Sequence, residues 1–117
     1  MTPGKLTLTI YQGSTFRRVV RLADDAGGAI DLTGATARMH VRAAITDTAT
    51  LLELTEANGR ALVTDAVGGE ITLLVSAADT ALLTFTTGVY DLEIEYSDGT
   101  VDRVLYGKVT LSKEVTR

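Results

Sequence analysis

The chain has 117 residues, 45% of them apolar, with no cysteine, no tryptophan, one proline and a net charge of −4. That length buries a hydrophobic core without staples, and the absence of cysteine excludes disulfides and thiolate chemistry. An acidic balance argues against a nucleic-acid binder, and neither a membrane-length apolar run nor a signal-peptide core is present. The composition is uniform along the chain, so residues 1–117 are read as one domain, soluble and used without cleavage.

Thr, Val and Ile supply 35 residues (19, 11 and 5), and all three are stiff at χ1 and favour strands. Eleven glycines punctuate the chain at turn-like intervals. In chain order, Leu6, Leu8 and Ile10 alternate with threonines as a first strand, broken at Gln12-Gly13-Ser14. Residues 16–22 form a second strand, with Phe16, Val20 and Leu22 on one face and Arg17, Val19 and Arg21 on the other. Arg18 falls on the apolar face, against the pattern. Asp24 to Gly28 and Asp31-Leu32-Thr33-Gly34 carry turn chemistry.

Residues 35–42 alternate cleanly: Ala37, Met39 and Val41 point one way, and Arg38, His40 and Arg42 the other. Segments 50–55 and 60–64 flank Asn58-Gly59, a dipeptide that predicts a two-residue type I′ hairpin. Val67-Gly68-Gly69 turns again before a strand over 70–75. Ser76 is placed to cap a short helix or 3₁₀ segment near 77–83, with Asp79 where an acid reaches back and Gly88 as its end. In the strand over 89–97, Tyr90, Leu92, Ile94 and Tyr96 face in, while Asp91, Glu93 and Glu95 face out. Asp98-Gly99 is a second I′ signal. Pairing Ser97 with Thr100 would set Val101, Leu105, Val109 and Leu111 on the face of Tyr96, along with Arg103 and Gly107.

Seven to nine short strands with regular turns, and no helical crossover, predict an all-β, antiparallel immunoglobulin-like β-sandwich. Candidate chemistry is sparse. His40 is the lone histidine, and no serine has a nucleophile-elbow context, so no catalytic set is expected and the chain is read as no enzyme. Asp91, Glu93 and Glu95 lie about 6.8 Å apart along a strand, too far for neighbours to share one metal ion unaided. Their simpler role is to face Arg38, His40 and Arg42 across a ladder, at ~0.2–1 kcal/mol per pair. Asp24, Asp25 and Asp31 do not match a calcium-loop spacing. Gly27-Gly28 and Gly68-Gly69 precede neither a lysine nor a helix, so they are not phosphate loops. No metal or cofactor is expected. Arg17, Arg18 and Arg21 form a small basic patch suited to a protein contact, or to partner the acidic row, rather than to a phosphate. Leu51, Leu52, Leu54 and Leu62 make the 50–64 hairpin more apolar than exposure needs, and are the candidate assembly contact.

Two groups of motifs carry a resemblance. Phe16-Arg17-Arg18-Val19-Val20-Arg21-Leu22 followed by Asp31-Leu32-Thr33-Gly34-Ala35-Thr36 resembles the opening of small immunoglobulin-like modules in tailed-phage and prophage structural proteins. Gly69-Glu70-Ile71-Thr72-Leu73, Gly88-Val89-Tyr90-Asp91-Leu92-Glu93-Ile94, Asp98-Gly99-Thr100-Val101, Gly107-Lys108-Val109 and Val115-Thr116-Arg117 are similar in the same way. The nearest group is the N-terminal domain of phage baseplate upper proteins. The resemblance implies a β-sandwich that in that family is attached to receptor-binding segments. Here no helical or fibre extension follows Arg117, so the expectation is a small stand-alone tail, neck or head-associated protein. It would reside in the virion, and in the host cytoplasm during assembly. Its partners would be other phage structural proteins or further copies of itself through a sheet edge, not nucleic acid or membrane. The competing reading is an immunoglobulin-like adhesion or carbohydrate-binding module, for which Tyr11, Tyr90, Tyr96 and Tyr106 are the available tyrosines.

Overall fold

A computed structural model describes residues 3–116, and within them nine strands and one helix form two packed sheets. The strands are β1 (Gly4–Lys5), β2 (Leu8–Tyr11), β3 (Phe16–Arg21), β4 (Thr36–Arg42), β5 (Leu52–Thr55), β6 (Ala61–Asp65), β7 (Glu70–Val75), β8 (Thr87–Glu95) and β9 (Val101–Ser112), with helix α1 (Ala77–Ala81) between β7 and β8. The larger sheet runs β1-β9-β8-β4-β5, with β2 also on β9; the smaller runs β3-β7-β6. The predicted sandwich is therefore present, with one difference. Both N-terminal strands pair with β9 in parallel, so the larger sheet is mixed rather than antiparallel throughout.

The alternation read from β4 and β8 is what builds the core. Ala37, Met39 and Val41 on β4 pack beside Tyr90, Leu92 and Ile94 on β8, all at 5% exposure or less. Phe16, Val20, Ile71, Leu73 and Val75 close over them from the smaller sheet. Arg18 does not disturb this layer: β3 is an edge strand, and the side chain is exposed beside the core.

The last strand departs from the predicted alternation. Leu92 opposes Leu105 but Glu93 opposes Arg103, so Val104 is an extra residue, a β-bulge. The bulge turns Val104 into the core and moves everything before it to the opposite face. Val101 is thus 43% exposed rather than inward, and Arg103 stands on the polar face. Tyr96 is half-buried at the rim.

Neither turn is type I′, which would need positive φ at two successive residues; Gly59 and Gly99 alone have it. At Asp98-Gly99 a three-residue loop forms, closed by Gly99 N to Tyr96 O and Tyr96 N to Thr100 O, so Tyr96 rather than Ser97 opposes Thr100. Asn58-Gly59 makes no hairpin at all, because β5 and β6 belong to different sheets. The turn is a corner where the chain crosses the sandwich. Asn58 holds it: Oδ1 accepts from Thr55 N and Arg60 N, and Nδ2 donates to the Glu53 carbonyl. That carbonyl also accepts from Arg60 Nη1. The outer backbone edge of β5 is thereby occupied by its own corner, a protection against edge-to-edge pairing.

Ser76 does cap α1, accepting from Asp79 N at 3.2 Å. The helix stops at Ala81, well before Gly88, which lies inside β8. The Asp79 carboxylate bonds Arg60 at 2.8 Å, and Arg60 with Ser76 holds its carboxyl below the usual range. Thr80, fully buried, accepts from Gly13 N and donates to Ser14 O, tying the β2–β3 turn to the helix.

The N-terminal strand is anchored at Leu6, between β1 and β2. Leu6 N donates to Tyr106 O, and the Tyr90 hydroxyl donates to Leu6 O at 2.7 Å. Gly107 permits this approach: a Cβ there would lie 2.9 Å from the Leu6 carbonyl carbon and nearer still to its oxygen. Burial pushes the Tyr90 hydroxyl up to about 12, opposed weakly by Arg18. An unfolded tyrosine loses its proton near 10, so the fold holds this proton more tightly than the unfolded chain does. The stability that Tyr90 contributes is complete below about pH 10 and is lost as pH rises towards about 12. Tyr90→Phe should cost about 0.5–1.5 kcal/mol at neutral pH through the lost hydrogen bond. It should also flatten the fall above about pH 10. Urea denaturation of both proteins across that range reads the effect; parallel alkaline slopes would refute the assignment.

Candidate interaction face

Of the residues singled out for charge, two pairs face each other, and Arg42 and Glu95 stand opposite uncharged residues. In the β4–β8 ladder Arg38 opposes Glu93, His40 opposes Asp91, Arg42 opposes Val89, and Thr36 opposes Glu95. Arg38 Nε meets Glu93 Oε1 at 3.0 Å. Both groups are well exposed, so this pair adds at most about 1 kcal/mol. Arg42 turns aside instead, donating from Nη1 to Thr48 O at 2.6 Å and from Nη2 to His40 Nδ1 at 3.1 Å. A guanidinium only donates, so Nδ1 of His40 is the acceptor in this contact. Glu95 stands at the end of the ladder, against Thr36 and Val101.

Strand β9 completes the face, with Arg103 brought onto it by the bulge. Arg103, Tyr106 and Lys108 stand opposite Glu93, Asp91 and Val89. The Arg103 guanidinium lies 5.6 Å from the centre of the Tyr106 ring, within cation–π range. With long side chains on β4 and β9 and shorter ones on β8 between them, the face is concave. The groove holds about 490 Å³. Lys5 on β1 and Ile45, from the loop after β4, also line it.

The four leucines do not form one patch. Leu54 is fully buried and Leu52 is 6% exposed, both facing inward from β5 opposite Met39 and Val41. Neither can serve as an assembly contact without opening the sandwich. Leu51 is half-buried at the rim of the core, and Leu62 is half-buried on the outer face of β6, in the other sheet. Among the described residues no three His, Asp or Glu side chains gather closely enough to hold a metal ion, and no helix is long and apolar enough to cross a membrane.

The fold class these sheets define is the immunoglobulin-like β-sandwich, and comparison with solved structures agrees. The chain is similar to the N-terminal domain of phage TP901-1 ORF48, with a TM-score of 0.56 and 13% identity, over 97% of this chain and 100% of that one. It is also similar to the immunoglobulin-like domain of mouse leukocyte-associated immunoglobulin-like receptor 1, solved as a strand-swapped dimer. There the TM-score is 0.50 and the identity 17%, over 90% of this chain and 86% of that one. At these identities the likeness shows a shared fold. No family model matches the chain, and no curated protein matches it.

Proposed function

We propose that this protein is a non-enzymatic structural module of a tailed-phage or prophage particle, acting in the tail, baseplate, neck or head region through contacts with other phage proteins. The observation that supports this most is the shared fold with a phage protein's N-terminal domain, over 97% of this chain and 100% of that one. The chemistry of the surface is compatible with it. What the outer face offers is a groove of charged, aromatic and aliphatic side chains, the mixture found at protein contacts. The edges left for pairing are those of β1, β2, β3 and β6, since the corner at Asn58 covers β5.

The test is recovery of the tagged chain from lysates of cells producing the phage, with mass spectrometry of what accompanies it and of purified particles. The expected result is co-recovery of tail, baseplate or head proteins. Recovery of host glycans or surface proteins in their place, with none of the chain in particles, would overturn the reading in favour of adhesion.

A further inference from the structure

The groove on the β4–β8–β9 face has a charge opposite to that of the molecule. Lys5, Arg42, Arg103 and Lys108 line it against Asp91 and Glu93, while the chain as a whole carries −4. Glu93 is already engaged by Arg38, which lowers the negative side further. A cluster of cations in an acidic protein is a local reversal of field, and it selects for negative groups in whatever binds. The second feature is apolar. Ile45 is 87% exposed at the groove's rim, and Tyr106 and Val89 lie within it. An inorganic anion would leave these three in water, whereas a peptide carrying both carboxylates and aliphatic side chains would satisfy both kinds of lining.

We propose that this groove binds an acidic segment of a partner protein, laid across β8 with carboxylates towards Lys5, Arg103 and Lys108 and apolar side chains against Ile45, Val89 and Tyr106. The proposal rests on the reading that the chain works through protein contacts, and it supplies the chemistry of one such partner. Nucleic acid is the other polyanion that such cations could attract, but the net negative charge of the chain opposes a phosphate backbone.

The test uses the whole chain and a fluorescein-labelled decapeptide of alternating glutamate and valine. Its controls are the lysine–valine counterpart and a single-stranded oligonucleotide. Fluorescence anisotropy should show binding of the acidic peptide alone, weakening as salt is raised because exposed charges are screened. Amide shifts in heteronuclear spectra should fall on Val89, Asp91, Tyr106 and Lys108. Lys108→Glu and Arg103→Glu should each weaken binding at least tenfold. Lys113→Glu, an equal charge change at an exposed residue outside the groove, should leave it within twofold. The proposal is overturned by equal binding of the lysine peptide, by tighter binding of the oligonucleotide, by shifts that map elsewhere, or by no binding at millimolar peptide. Self-association of the chain alone that Lys108→Glu abolishes would also overturn it, by making the occupant a second copy. The peptide assay does not depend on phage particles. Groove binding with no recovery in particles would therefore count against the assembly reading alone, and particle recovery with no groove binding against this proposal alone.

Discussion

Gly69→Ala is expected to lower the unfolding free energy by about 3 kcal/mol or more, an effect that is large for one methyl group. Two costs coincide at this position. Its φ is +70°, and a left-handed conformation costs an alanine about 1–2 kcal/mol. The added Cβ would also lie 2.6 Å from the Leu22 carbonyl oxygen and 2.9 Å from that of Ile30, both backbone atoms. The Leu22 carbonyl is held in place, since it accepts from Ile30 N while Leu22 N donates to the Gly69 carbonyl. Crowding of this kind adds about 1–3 kcal/mol. Gly59→Ala separates the two terms, because Gly59 has φ +75° but nothing within 4 Å of its Cβ position. It should lose only the conformational part, about 1–2 kcal/mol. Thermal denaturation should put the Gly69→Ala midpoint roughly 10 °C or more below the parent, and Gly59→Ala clearly above it. Equal losses would show that the contact with Leu22 and Ile30 is relieved by a small backbone shift.

The contrast also explains what was legible in the sequence. Period-two alternation carried β4 and β8, because each is a central strand with one face in the core, and a one-residue slip would expose every apolar side chain. The facing of Arg38 and Glu93 followed once those two strands were paired. The β9 register did not follow, because a bulge has no compositional mark: Val104 and Leu105 are both apolar, and either continues a plausible pattern. Asn58-Gly59 was misread for a related reason. The dipeptide reports a local turn, and whether the strands on either side pair or part is decided by which sheet buries each of them. Leu54 goes to the larger sheet and Ala61 to the smaller, which no nearest-neighbour signal records. The parallel pairing of the N-terminal strands is equally non-local, resting on Gly107 and Leu6 a hundred residues apart.

The site was legible in part for the same physical reasons. The β4 and β8 charges were visible as alternating rows. Of the β9 residues that turn the row into a groove, Tyr106 and Lys108 follow the alternation, and only Arg103 depends on the bulge. Ile45 lies in a segment with no periodicity, and nothing in the sequence predicts that it lines the groove. The result is a face whose centre was readable and whose rim, at Arg103 and Ile45, was not.

Leu54→Ala should cost about 2–5 kcal/mol, and Leu62→Ala less than about 1 kcal/mol. The two leucines look alike in sequence, eight residues apart on either side of one turn. Leu54 is fully buried opposite Met39, where truncation leaves a cavity walled by both sheets. Leu62 is half-buried on the outer face of β6, opposite Thr72, and lies outside the core cluster that holds Leu54. If Leu54 contributed mainly to an interface, its truncation would change association and leave the monomer's denaturation midpoint in place. The structure requires the reverse for Leu54: a lower urea midpoint at unchanged m-value, whatever the concentration of protein. For Leu62 the urea midpoint should stay near that of the parent. Any effect of Leu62→Ala should then appear in sedimentation or in recovery with phage particles, so that the pair of variants separates residues that hold the sandwich from those available to partners. A Leu62→Ala loss as large as that of Leu54→Ala would mean that the outer face of the smaller sheet is covered in the folded protein.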